Sequence, residues 1–186
     1  NTDEDIDSHF RTARMVIERA KRRGEGGQQG RGESESITRV GRAFNHYVGN
    51  SGRTMSGGID AQAMQEQRSM FGAARNIENG GSLTIIASAL IDTGSRRDEL
   101  IFQEFKGTGN MELVLSKKLA ERRIWPAIDL PGSGTRKEAL LLGPEVERKV
   151  AMIRRDLVSR DPVGGMETLL KLMAKFPTNE QFLASF

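Results

Sequence analysis

The sequence predicts a mixed α/β domain: a mainly parallel sheet followed by C-terminal helices. Three observations carry this. First, residues 83–91 (LTIIASALI) form an apolar run interrupted only at Thr84 and Ser88. It is too short to span a bilayer and too evenly apolar for a half-exposed antiparallel strand, so it reads as a strand buried on both faces. Second, the run leads into Asp92-Thr93-Gly94-Ser95-Arg96, an amphipathic helix at 98–106 with Leu100, Ile101 and Phe105 on one face, and a second strand at 111–115. Strand, helix, strand is the unit of a parallel sheet, and its ligands bind at the carboxyl ends of the strands. Third, Val146, Val150, Ile153 and Leu157, then Met166, Leu169, Leu170 and Met173, recur at helical spacing, each set behind a proline start at Pro144 or Pro162.

The remaining elements follow in order. Asp3 or Asp5 can cap a first helix whose apolar face is Ile6, Phe10, Ala13, Ile17 and Ala20, ending near Arg23. Arg11, Arg14, Arg19, Lys21, Arg22 and Arg23 fall mostly off that face. A solvated face is their expected role, with RNA contact the alternative. Residues 24–33 hold five glycines and no apolar side chain, the composition of a flexible linker. Ser36 can cap a helix striped by Ile37, Val40, Phe44 and Tyr47. A glycine-broken loop at 49–58 precedes a helix capped by Asp60 and running to about Gln67. A second helical piece is expected over 71–77. Residues 116–123 are short, basic and compatible with a helix, and 124–128 suits a strand in which Pro126 argues for an edge or a start. Thr178 and Gln181 form a capping box for a last short helix.

The 186 residues suit one domain with a sizeable core. Domain bounds are expected at 1–142, with 143–186 as a helical part of the same domain. The net charge of +3 allows a polyanionic partner without demanding one. With no cysteine, disulfides and thiolate metal sites are excluded. His9 and His46 stand alone and suit surface or core roles rather than metal ligation. No signal peptide or membrane span is visible, so a cytoplasmic location without membrane contact is expected. The first residue is Asn1, which suggests a cut inside a longer protein.

Four segments carry a resemblance. FGAARNIENGGSLTIIASALIDTGSRRDELIFQEFKGTGNMEL (71–113), SGGIDAQAM (56–64), AERRIWPAID (120–129) and SGTRKE (133–138), in this order, closely resemble the C-terminal RecA-like motor domain of the bacterial transcription termination factor Rho. The resemblance runs from Arg11 to the end and weakens after Leu142. It implies a partial RecA-like domain of an ATP-dependent RNA translocase that terminates transcription. Its partners would be single-stranded RNA, other Rho-like subunits in a homohexameric ring, and the RNA polymerase complex.

The resemblance also assigns roles. Arg53, Thr54, Met55, Ser56 and Gly57 match one pore loop that touches RNA. Asp92, Thr93, Gly94, Ser95 and Arg96 match the second, with Arg96 at the position that grips the RNA backbone. Such phosphate contacts supply affinity without reading sequence. Arg39, Arg42, Lys117 and Arg123 fall at basic positions of the nucleotide interface between subunits. Arg136 matches an arginine finger acting in trans on a neighbour's ATP.

Two features depart from the family. Where it has a buried strand ending in an aspartate that helps hold the magnesium of ATP, this chain has GRGESESITR (30–39). Residues 24–35 are therefore expected as a glycine-rich linker in place of that strand, with Glu35 at the metal position on an unsupported segment. There is also no G-x-x-x-x-G-K-[ST] loop to cradle phosphates. ATP and Mg2+ belong to the family, but neither their binding nor ATP hydrolysis is expected of this chain alone. The alternative expectation is a truncated or degenerate fragment without motor activity, retaining at most RNA or subunit binding.

Overall fold

The computed structural model describes residues 6–48, 54–55 and 58–186. The elements are α1 (Ile6–Glu25), β1 (Gln29–Ser34), α2 (Ile37–Val48), β2 (Thr54–Met55), β3 (Ile59–Asp60), α3 (Ala61–Phe71), β4 (Arg75–Asn76), β5 (Ser82–Ala87), α4 (Arg96–Thr108), β6 (Met111–Glu112), α5 (Lys117–Glu121), β7 (Gly134–Thr135), α6 (Ala139–Leu142), α7 (Pro144–Val158), α8 (Pro162–Met173) and α9 (Asn179–Ala184). They form two compact units, Asn1–Gly109 and Asn110–Phe186. The expected class is met: mixed α/β with a parallel strand pair and C-terminal helices.

In the first unit a three-stranded sheet runs β1-β5-β4, with β1 parallel and β4 antiparallel to β5. Phe10 and Ile17 of α1, Phe44 of α2, Ala63 and Met70 of α3 and Leu83 of β5 form one apolar cluster. Phe10 meets Phe44 edge-on at 4.6 Å between ring centroids and stacks on Tyr47 at 3.9 Å. A second cluster, Ile37, Ile59, Met64, Ile101 and Phe105, joins α2, α3 and α4.

The segment expected as a linker holds β1. Gln29 pairs with Ser82 and Ser34 with Ala87. The reason is alternation. Gly30, Gly32 and Ser34 are half-buried, while Gln29, Arg31 and Glu33 are exposed. Arg31 and Glu33 pair with each other in solvent. An edge strand with one solvated face can carry charges outward, so a continuous apolar run is not required. Gly81 permits the entry to this pair: a Cβ there would stand 1.9 Å from the carbonyl oxygen of Gln28.

The run 83–91 is likewise corrected. Regular strand ends at Ala87. Leu83 is buried, but Ile86, Leu90 and Ile91 are exposed, so β5 is covered on one face only. The helical piece expected over 71–77 is absent: α3 stops at Phe71 and residues 75–76 pair with β5. The first helix runs two residues past Arg23, to Glu25. Its expected caps, Asp3 and Asp5, lie outside the described residues.

In the second unit β6 pairs with β7 antiparallel, and Leu115 bridges Ile128. The strand expected at 124–128 reduces to that bridge, beside a cis Trp125–Pro126 peptide. Two apolar clusters hold the helices. Leu119, Ala127 and Met166 form one, and Ile153, Leu157 and Phe182 the other. Asp161 accepts from the amides of Val163 and Gly164, and Thr178 Oγ1 from that of Gln181 at 3.3 Å, which fixes the starts of α8 and α9.

Candidate nucleic-acid interface

Helix α2 bonds residues that closely follow each of the two segments assigned to RNA contact. Ser36 Oγ accepts from the amide of Arg39 at 3.2 Å and starts the helix. Ile37, Ala43 and Phe44 bury one side. Arg42 and Asn45, three residues apart and so on one face, then reach two different loops.

Arg42 reaches the loop 92–96. Its Nε and Nη2 donate to Asp98 Oδ1 at 3.1 and 2.7 Å, and Nη2 also donates to Oδ2 at 2.6 Å. Thr93 Oγ1 donates to Asp98 Oδ2 at 3.0 Å and accepts from the amide of Ser95 at 3.3 Å. Ser95 caps α4 by accepting from the amide of Asp98 at 3.3 Å. Asp98 is 3% exposed. Burial alone would raise its pKa. Hydrogen bonds from Arg42 and Thr93, with the charges of Arg42 and Arg97, outweigh burial and hold the carboxyl below its ordinary range. Asp92 and Gly94 take the left-handed backbone that makes the turn, at φ 57° and 73°.

Asn45 reaches the residues that follow the other segment. Its Oδ1 accepts from the amide of Asp60 at 2.6 Å, and its Nδ2 donates to the carbonyl of Gly58 at 3.3 Å. Thr54 and Met55 pair with Asp60 and Ile59 in a short hairpin. A Cβ at Gly58 would stand 3.4 Å from Nη2 of Arg97, so the guanidinium of Arg97 lies beside this hairpin at Gly58. The structure thus brings 58–60 and 92–97 together. Arg53, Ser56 and Gly57 lie outside the described residues. Arg96 is exposed on the first turn of α4, beside Arg97.

Sequence reasoning passed over Asn45 and Arg97 and gave Asp98 no holding role. Only the Arg42/Asn45 spacing on one helix face signalled any of them.

The nucleotide-side residues are placed as follows. Glu35 is exposed, one residue past β1, and its carbonyl accepts from Ser88 Oγ just past β5. It therefore sits at the carboxyl ends of a parallel pair, supported by the strand the sequence reading denied it. Among the described residues no three His, Asp or Glu side chains group to hold a metal, and the sequence has no phosphate-binding loop. Arg39 is exposed on α2.

In the second unit Lys117 is 89% exposed and pairs with Glu121 at 3.6 Å. Arg123 follows α5 in the left-handed region, at φ 59°, and its amide donates to Ala120 at 3.0 Å. Arg136 is exposed directly after β7, its amide donating to the carbonyl of Asn110 at 2.8 Å. The loop before it is tied down. Asp129 Oδ1 accepts from Gly132 at 2.8 Å, Ser133 Oγ from Val114 at 2.9 Å, and Arg154 of α7 donates to the carbonyls of Leu130, at 2.9 Å, and Ser133.

No family model matches the sequence. Curated relatives do. Transcription termination factor Rho of Rhodopirellula baltica is 51% identical over 184 residues, 98% of this chain and 36% of that protein. Rho of Haemophilus influenzae is 52% identical over 180 residues, 97% of this chain and 43% of that protein. The chain is similar to a C-terminal segment of these Rho factors. It spans well under half the length of these Rho proteins. Among solved structures, an ATPase of the type III secretion system of pathogenic bacteria superposes with a TM-score of 0.63 at 20% identity, over 98% of this chain and 60% of the other. The ATPase EscN of enteropathogenic E. coli gives 0.61 at 19%, over 95% and 48%. These likenesses concern the fold alone. No helix among the described residues is long and apolar enough to cross a membrane.

Proposed function

We propose that this chain is the RNA-handling segment of a Rho-type, ATP-dependent translocase. In this reading it supplies two pore loops and a trans arginine finger to a hexameric ring that terminates transcription. The observation that carries this is the bracket formed by α2: Arg42 fixes 92–96 and Asn45 fixes 58–60, so two loops distant in sequence present one surface. Arg53 and Arg96 grip phosphates. Contacts of that kind tolerate any sequence, as a motor moving along a transcript requires.

Arg136 is the residue this reading offers to a neighbouring complete subunit, on a loop fixed by Arg154. Arg39, Lys117 and Arg123 serve the same interface. ATP and Mg2+ are held by partner subunits that carry the phosphate-binding loop.

Binding of labelled single-stranded RNA across a salt series tests the reading. Arg53→Ala or Arg96→Ala should weaken all sequences alike and lower the salt slope by about one phosphate contact, roughly 0.7 in log–log units. Loss restricted to one RNA sequence, or an unchanged slope in both variants, refutes it.

A further inference from the structure

We infer that the outer face of α1 is a further contact surface for an RNA phosphate backbone, on a different helix from the loops assigned above. Helix α1 carries six cations against three carboxylates, a surplus of three that equals the net charge of the whole chain. The surplus is organised. Arg11, Met15, Arg19 and Arg22 recur at steps of four, four and three, forming one stripe with Arg23 at its edge. The four arginines are exposed and Met15 is 64% exposed, while Phe10 and Ile17 on the opposite face are buried.

Helix stability does not account for the stripe. Arg22 and Arg23 in the last turn complement the helix dipole, but Arg11 and Arg19 lie beyond its reach. Nor do ion pairs. Glu18 is committed to Lys21 at 2.7 Å, and among the described residues Arg11, Arg19 and Arg23 form no ion pair. The stripe extends about 18 Å along the helix axis, long enough to follow several phosphates of one strand. A membrane surface is the poorer fit, because an interfacial helix must offer its apolar face to lipid and that of α1 is packed in the core. The choice of RNA among polyanions rests on the function proposed above.

The test uses the 186-residue chain, its Arg11→Gln/Arg19→Gln double variant and Arg96→Ala, each titrated with a fluorescein-labelled 12-nucleotide oligouridine at 50 and 200 mM salt. Two lost contacts at about 0.7 each mean that the affinity advantage of the wild type over the double variant shrinks about sevenfold between those salts. If the double variant is unfolded by circular dichroism, Arg19→Gln alone should give about 2.6-fold. An unchanged slope in the α1 variants with a flattened one in Arg96→Ala overturns this inference and leaves the loop reading standing. The reverse pattern supports the inference and removes Arg96 from the RNA contacts. Absence of oligouridine binding at 50 mM salt overturns the inference. So does arginine-dependent binding to polyglutamate or phosphatidylserine vesicles when oligouridine binding is independent of Arg11 and Arg19.

Discussion

Arg42→Ala would leave the carboxylate of Asp98 in place, 3% exposed, with Thr93 as its remaining side-chain donor. Removing one partner of a fully buried ion pair costs about 3–5 kcal/mol. Arg42 is 55% exposed, so water entering the vacated side would restore part of the lost solvation. The expected cost is therefore about 2–3 kcal/mol at pH 7, a large share of the stability of a small domain. The cost has a pH signature. In the folded chain the pKa of Asp98 is depressed, by hydrogen bonds and charges that outweigh burial. The contribution of the pair is then complete above the unfolded value of about 3.9 and is lost as pH falls through the lower folded value. Urea unfolding at pH 7 and at about pH 3 should show the gap between wild type and variant narrowing in acid. Adding Asp98→Asn to the variant should recover part of the loss at pH 7, because the stranded charge is gone. A gap of equal size at both pH values, or no recovery in the double variant, would refute charge as what holds the loop.

Two further outcomes follow from contacts elsewhere in the molecule. Gly81→Ala drives a Cβ into the backbone of Gln28 at 1.9 Å, so β1 should detach. Hydrogen exchange of the amides across 30–34 would then accelerate strongly, whereas slow exchange retained in the variant would contradict the pairing with β5. Arg154→Ala removes the guanidinium that joins Leu130 and Ser133, at an expected cost of about 1–2 kcal/mol in urea unfolding. If Arg136 acts in trans, the same change should lower the RNA-stimulated ATPase that this chain restores to complete Rho subunits lacking their own finger. Unchanged rescue would show that the loop needs no tie.

Where the sequence was legible, one local rule governed each element. Ser36, Asp60 and Thr178 each accept from an amide two or three residues on, as short polar residues ahead of an apolar stripe should. Pro144 and Pro162 start α7 and α8. The failures came where tertiary context decides. The apolar run 83–91 has the composition of a doubly buried strand, yet composition does not say how many faces are covered, and Ile86 is 51% exposed. In β1 the glycines and charges that argued against a strand occupy opposite faces of one. Gly30 and Gly32 lie on the half-buried face, with Leu83 Cδ1 3.5 Å from where a Gly30 Cβ would sit. That alternation was present in the sequence, but its apolar half is glycine, which hydropathy does not count.

The candidate site was half legible for a related reason. Resemblance placed Arg39 and Arg42 together as interface residues, three apart on one helix. Their surroundings separate them. Two of the three guanidinium nitrogens of Arg42 face Asp98, 56 residues away, in a contact no spacing rule can foresee. An arginine so engaged cannot transfer those nitrogens to a phosphate without stranding a buried carboxylate, a loss comparable to what a phosphate contact returns. Arg39 carries no such obligation: its side chain is exposed and only its backbone amide is engaged, by Ser36. Under the proposed function Arg39 is therefore, of the two, the one left to meet a nucleotide on a neighbouring subunit, while Arg42 holds Asp98 beside the loop 92–96. Arg39→Ala should accordingly leave the urea midpoint unchanged under the conditions in which Arg42→Ala lowers it.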